Sequence, residues 1–351
     1  MYIAVAVLVF GFLIATHELG HFLVAKAFGV KVNEFAIGMG PAIVKKQKGE
    51  TLYSLRALPI GGFCAMEGED GDSEDERSFS NQKVWKRFLV LIAGSSMNFL
   101  TGLIIVAIVF SSAGAFRINR IETLSPGFEY GGEAGLIEGD AIISIDGHRI
   151  FYHRDFVNYM SRAAGKDVDM VIERDGRKIA LKDFGLSAKA TAADGEAEDY
   201  GITFAAVKAT PGERLKYSLY TTYDFVRLVK MGLSDLITGR VGVKDMSGAL
   251  GIITVINDVG ENSETSRDAA MNIAYLCAFI AVNLAVMNML PIPALDGGRV
   301  FFLFVTAIIE KLTRKKLNPK YEAYINTVAL GLLIVLMAYV MFNDVLRIIH
   351  K

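Results

Sequence analysis

Cysteine is almost missing from this chain of 351 residues, which holds only Cys64 and Cys277. The two lie far apart and fit no C-x-x-C spacing. That excludes a disulfide framework and a cysteine-based zinc site, and leaves two thiols in apolar surroundings. An excess of charge is missing too. Lys and Arg number 37 against 38 Asp and Glu, for a net charge of −1, and no basic tract with interleaved aromatics occurs. Nucleic-acid binding therefore has no electrostatic footprint here. The N-terminus lacks a basic n-region and its apolar run continues to about Phe28, so no cleavable signal peptide is expected. What is abundant is apolar surface: 52% of residues are hydrophobic and the mean hydropathy is +0.37. That is too apolar for an ordinary soluble protein of this length. It fits a polytopic α-helical membrane protein with a modest soluble insert.

A bilayer span needs about 20 apolar residues. Four segments qualify, roughly Tyr2–Phe28, Phe88–Ala113, Ala269–Leu290 and Ile325–Leu346. The third holds Asn272, Asn283 and Asn288, as a helix packed inside a bundle does. Between the first two spans, Val32–Ile37, Ala42–Lys46 and Thr51–Ala57 read as short strands of a membrane-associated β-hairpin region. Gly38-Met39-Gly40-Pro41 and Lys48-Gly49-Glu50 supply its turns. An acidic loop, Glu67 to Glu76, and the basic-aromatic interface flank Lys83 to Arg87, with Trp85 as anchor, lead into the second span.

Arg117 to about Val207 is polar and strand-like, with turn signals at Asp146-Gly147 and Asp175-Gly176. Ala134-Gly135-Leu136-Ile137-Glu138-Gly139-Asp140 followed by Ile142 to Gly147 resembles the core of a PDZ domain. It departs from the usual form at Phe128–Gly132. The resemblance implies an inserted α+β domain that binds extended peptides by strand addition; a spacer or steric plug is the competing reading. Pro211 to Ile237 is amphipathic and suits a membrane surface. Gly239 to Gly260 is glycine-rich and reads as a loop packed against the bundle. The resulting division is 1–114, a first transmembrane half; 115–207, the PDZ-like domain; 208–268, the surface segment and glycine-rich loop; and 269–351, a second transmembrane half.

Lys and Arg mark the cytoplasmic side of a membrane protein. Lys26, Lys31, Lys83, Lys86 and Arg87 flank the loop after span one. Arg299, Lys311, Arg314, Lys315, Lys316 and Lys320 sit in the loop after span three. Both loops read as cytoplasmic, which puts the PDZ-like domain outside the cell membrane.

The chemistry is concentrated in His17-Glu18-Leu19-Gly20-His21, inside the first span. Histidines four residues apart on a helix share a face and can bind one zinc ion, and the Glu between them can act as general base. Ionisable side chains at membrane depth point to a functional site. A water-requiring motif there implies hydrolysis within the bilayer. A catalytic zinc takes three protein ligands and leaves one position open. Asp296 is the best candidate for the third, in Asn288-Met289-Leu290-Pro291-Ile292-Pro293-Ala294-Leu295-Asp296-Gly297-Gly298-Arg299 at the end of span three. Pro291 and Pro293 break the helix, Gly297-Gly298 permit close backbone approach, and irregular backbone at this depth lines protein or a wet cavity.

The HExxH span, the N-x-x-P-x-P-x-L-D-G-G motif and the domain between them resemble, in order and over almost the whole chain, the site-2 protease family. The closer likeness is to intramembrane zinc metalloproteases of the bacterial RseP/RasP type. The resemblance implies Zn2+ held by His17, His21 and Asp296, with Glu18 as base. It implies substrate contacts at Asn288, Gly38, Gly40, Pro291 and Pro293, although helix packing accounts for Asn288 nearly as well. Ser247-Gly248-Ala249-Leu250-Gly251 departs from it, since many relatives carry proline after the first glycine. Substrates would be single-pass membrane proteins, anti-sigma factors or signal-peptide remnants, cut in the lipid bilayer of the bacterial inner membrane. Two other classes compete: a non-hydrolytic PDZ-bearing scaffold, which has no need of Glu18, and a zinc transporter, which needs polar ligands spread along several spans.

Overall fold

The computed structural model describes residues 2–349 apart from 70, 72, 164, 187–199, 243, 245, 247 and 315–319. Ser247, Lys315, Lys316 and part of the inserted domain lie outside the described residues. The chain forms two compact units, one of residues 1–109 and 221–351, the other Phe110–Tyr220.

The first unit is built on helices. Tyr2–Ala27 (α1), Val84–Ser111 (α2), Ser266–Asn288 (α6) and Tyr324–Arg347 within Lys320–Ile349 (α8) are long and apolar enough to cross a membrane. They match the four spans expected to within a few residues. α8 turns Leu332, Val335 and Met337 outward, each more than half exposed. Apolar exposure on that scale suits lipid, not water. α1 is gripped at both ends. Its N-terminal half packs Ala6 and Leu13 against Ile256 and the α6 residues Ile273, Cys277, Ile280 and Ala281. At its other end Ala25 joins Val30, Val32, Cys64, Met66, Val90, Leu91 and Leu303. The HExxH turn lies between these two clusters.

Two stretches read as loops are helices. Ala249–Glu261 (α5) lies where a glycine-rich loop was expected. Its Ile252, Ile253 and Ile256 give a face that packs on α1 and α6. Its N-terminus is capped by Asp344 of α8, whose Oδ2 accepts from Gly248 N and Gly251 N, both at 2.9 Å. Tertiary burial and a distant carboxylate outweigh the weak helix propensity of glycine. Asp296–Thr313 (α7) likewise replaces a loop. The amphipathic segment is a helix over the bounds expected, Pro211–Ile237 (α4). Beyond residue 220 it packs inward, Phe225 standing edge-on to Tyr275 and Phe279 of α6.

The strands between α1 and α2 are longer than the short runs expected: Val32–Lys48 (β1) and Thr51–Met66 (β2). β2 doubles back. Phe35 and Ala36 face Tyr53 and Ser54 on one side, and Cys64 and Phe63 on the other. Gly61, at φ +87, makes the bend possible. Residues 62–66 thus form an outer strand whose other edge pairs with no strand among the described residues. This run lacks alternation, so only its partner strand reveals it. Inside the sheet, Glu34 accepts from Ser54 at 2.6 Å and Arg56 at 2.7 Å. Burial opposes the Glu34 charge, but these bonds outweigh it and hold the carboxyl below its usual range.

The second unit is a small α+β fold of Ala115–Leu124 (β3), Ala141–Ile145 (β4), His148–Arg149 (β5), His153–Ala163 (α3), Val168–Arg174 (β6), Arg177–Phe184 (β7) and Ile202–Lys208 (β8). The sheet order is β7-β6-β4-β3-β8, with β5 paired to β4. Asp146-Gly147 and Asp175-Gly176 make tight turns with positive φ at both residues, as their composition led us to expect. α3 buries Phe156, Tyr159 and Met160, one stripe of its amphipathic pattern. Asp140, fully buried, is held by Arg174 at 2.8 Å, and the same guanidinium clasps the carbonyls of Glu133 and Gly135.

Candidate metal centre

His17 and His21 lie one helical turn apart on α1, their rings edge-to-face with centroids 4.8 Å apart. The chain brings Asp296 to them from α7. The segment between α6 and α7 folds back tightly: a Cβ at Gly297 would land on Met289 and Leu290 backbone atoms, and one at Gly298 on the Ile292 carbonyl. Only a side-chain-free pair lets this turn close. Ala294 takes a positive φ of 73°, and its N–H is held by Asn326 Oδ1 of α8 at 3.2 Å. Asp296 then opens α7, where the helix dipole favours a carboxylate.

His17 Nε2, His21 Nε2 and Asp296 Oδ2 form a near-equilateral triangle with sides of 3.2, 3.1 and 3.3 Å. Tetrahedral zinc with arms of about 2.0–2.1 Å has ligand–ligand edges of about 3.3 Å. The triangle therefore has the size of one face of that tetrahedron. The donor set is the His and carboxylate type that catalytic zinc takes. Asp296 Oδ2 is buried yet has no hydrogen-bond partner, an arrangement that is costly without a cation. His21 Nδ1 lies 2.8 Å from the Val90 carbonyl, and donating there leaves the Nε2 lone pair for a metal. Among the described residues these three are the group able to hold a metal ion.

The triangle opens on a cavity of about 390 Å³. Glu18 lines it, as do Phe63 to Met66 of the outer strand, Leu91 of α2, Glu69 and Arg299. A Cβ at Gly62 would touch the Glu18 Cγ at 3.3 Å, so the strand passes directly over the motif. Gly38 and Gly40 sit at positive φ on β1, and the Arg56 guanidinium binds the Gly40 carbonyl at 2.8 Å. They do not line the cavity, and neither do Asn288, Pro291 and Pro293.

α2 supplies parts that sequence reasoning did not single out. A Cβ on Gly94 would collide with His21 Nε2 and stand 2.8 Å from His17 Nε2. Buried Asn98 accepts from the Thr16 hydroxyl at 3.1 Å, tying α2 to α1 beside His17. The available signal was Gly94, Ser95 and Asn98 on one turn of an otherwise bulky span, the composition of a close helix contact. Glu69 and Arg299, an ion pair between the loop after β2 and the first turn of α7, left no pattern to read.

A family model described as peptidase family M50 matches residues 5–336. A Clostridium perfringens protein that carries the name of a zinc metalloprotease is 37% identical over 347 residues, covering 99% of each chain. The regulator of sigma-W protease RasP of Bacillus subtilis is 27% identical over 425 residues, covering 97% of each chain. A Fusobacterium nucleatum relative, also named for zinc metalloprotease activity, is 32% identical over 99% of each chain. With the match running through the HExxH helix, the inserted unit and the turn that carries Asp296, this chain belongs to peptidase family M50, the membrane zinc metalloproteases of the site-2 type.

Proposed function

We propose that the chain cuts single-pass membrane proteins within the bilayer, with His17, His21 and Asp296 holding zinc and Glu18 as general base. The triangle of 3.1 to 3.3 Å between their donor atoms, opening on a cavity that Glu18 lines, carries the reading. Held by His17, His21 and Asp296, zinc would supply an acidified water and Lewis acidity at the scissile carbonyl. Glu18, which lines the cavity, is placed to take a proton there and return it to the leaving amine. The Val90 carbonyl holds the His21 imidazole in place, and Leu91 and Phe63 give the cavity apolar walls.

A helical substrate hides its carbonyls in intrahelical bonds, so it must be extended before attack. The outer strand, residues 62–66, offers an edge beside the metal centre to which an extended segment adds by backbone hydrogen bonds. This edge lies at the end of β2, beyond the short strands read from the sequence over Val32–Ala57. The substrates fall in the class to which the sigma-W regulator's name points, anti-sigma-factor-like proteins, together with signal-peptide remnants, in the bacterial inner membrane. The unit Phe110–Tyr220 is a PDZ-like domain on the extracytoplasmic side, where it screens substrates by the size of their ectodomains.

The test is cleavage of a tagged single-pass substrate with a shortened ectodomain, comparing wild type with Glu18→Gln in reconstituted membranes. Zinc content equal to wild type with cleavage lowered at least ~10²-fold supports the base assignment. Equal cleavage by both proteins removes Glu18 from the mechanism.

A further inference from the structure

We infer that the Glu69 carboxylate, clamped by Arg299, sets the register in which a substrate strand adds to residues 62–66 and so selects the bond that is cut. The inference rests on the strand-addition reading above. It begins from where the peptide groups of the outer strand point. Glu67 N donates to the Lys31 carbonyl at 2.9 Å, on the inner side of the sheet. Peptide groups alternate sides along a strand, so the Met66 N–H points the other way, to the open edge. There it does not wait for a substrate: Glu69 Oε2 accepts from it at 3.2 Å. The other carboxylate oxygen, Oε1, is held by the Arg299 guanidinium.

A carboxylate oxygen in that position takes the place that a substrate carbonyl would occupy. An incoming strand finds outward N–H groups at Gly62 and Cys64 but none at Met66, and its own carbonyl dipole is repelled there by the Glu69 charge. The strand therefore has an end stop. The stop is measured from the metal centre, because Arg299 stands one turn after Asp296 on the same helix. Two other acids of this loop are engaged elsewhere, Glu67 with Asn33 and Ser73 and Asp75 with Lys31, whereas Glu69 and Arg299 line the metal cavity. Without the stop, the strand can slide by the period that keeps each side chain on its own face, about two residues.

The experiment uses the full chain in proteoliposomes and a tagged single-pass segment of ~20 apolar residues that the wild type cuts. Product ends are mapped by mass spectrometry. In Glu69→Ala and Arg299→Ala the cut is expected to move by about two residues or to split between two bonds, with zinc content unchanged. Glu69→Gln, which keeps an acceptor for Met66 N–H, is expected to retain mainly the wild-type bond. Cutting only at the wild-type bond in all three variants overturns the proposal, as does loss of all cleavage in both alanine variants with zinc retained. Cys64→Pro removes one outward N–H, which an edge strand tolerates. If Cys64→Pro cleaves as wild type does, strand addition itself fails and the register proposal with it. If Cys64→Pro loses cleavage while Glu69→Ala leaves the bond unmoved, only the register proposal fails.

Discussion

Gly94→Ala is the smallest change that tests how α2 supports the metal centre. The new Cβ would overlap His21 Nε2 and lie 2.7 and 2.8 Å from His17 Cε1 and Nε2. Comfortable non-bonded contact begins near 3.5 Å, so about 1 Å must be found. α2 cannot retreat that far without stretching the His21–Val90 contact of 2.8 Å and the Thr16–Asn98 bond of 3.1 Å. The imidazoles must therefore rotate or the helices part. Overpacking costs about 1–3 kcal/mol. Alanine regains about 1 kcal/mol of helix propensity. Global stability should fall by no more than about 2 kcal/mol, the difference of those two. A displacement of about 1 Å in catalytic groups costs ~10²-fold in rate. Gly94→Ala is thus expected to purify folded, with substoichiometric zinc by elemental analysis and cleavage down ~10²-fold. Gly102→Ala is the control: its Cβ would meet Val282 Cγ2 at 2.7 Å and the Ala278 carbonyl at 3.0 Å on α6. It should lose stability but keep zinc. Full zinc and wild-type cleavage in Gly94→Ala would refute the reasoning.

Three further outcomes follow from the same geometry. Asp344→Ala strips the cap from α5 and should lower stability by about 1–2 kcal/mol, seen as a lower Tm in detergent, while Asp344→Asn keeps most of it. Burial, with Arg117 and Arg154 adding to it, holds the His153 imidazole below its ordinary pKa. The neutral ring is then the folded form, so its contribution is complete above about pH 6.5 and is lost as the pH falls through the lowered value. Hydrogen-exchange protection factors of the unit Phe110–Tyr220, taken relative to the intrinsic rate at each pH, should fall on acidification, and less so in His153→Gln. Deleting Arg117–Val207 should let substrates with uncut ectodomains be cleaved in reconstituted membranes; unchanged selectivity would remove the screening role.

Much of this protein is legible residue by residue. A glutamate and two histidines inside an apolar run announce a site, because ionisable groups are too costly at membrane depth to stand there idle. The four spans follow from length and hydropathy, and the Asp-Gly turns of the inserted unit from the positive φ that few residues adopt. Leu295-Asp296-Gly297-Gly298 marks its turn for a different reason, since only residues without a Cβ leave room for it to fold on Met289 to Ile292. All of these are local rules, satisfied within one helix turn or one loop. The doubling back of β2 is different, because residues 62–66 have no pattern until residues 34–37 lie beside them. α5 needs a carboxylate from α8 and a face from α1. Gly94 matters only because α2 passes within atomic contact of two imidazoles. Glu69 and Arg299 meet from distant parts of the chain to close one side of the cavity. The sequence by itself thus determined which residues can bind a metal and that two of them lie in a helix long and apolar enough to cross a membrane. Tertiary structure alone decided which edge faces them and what holds it, because packing and pairing energies depend on distances that chain order does not specify.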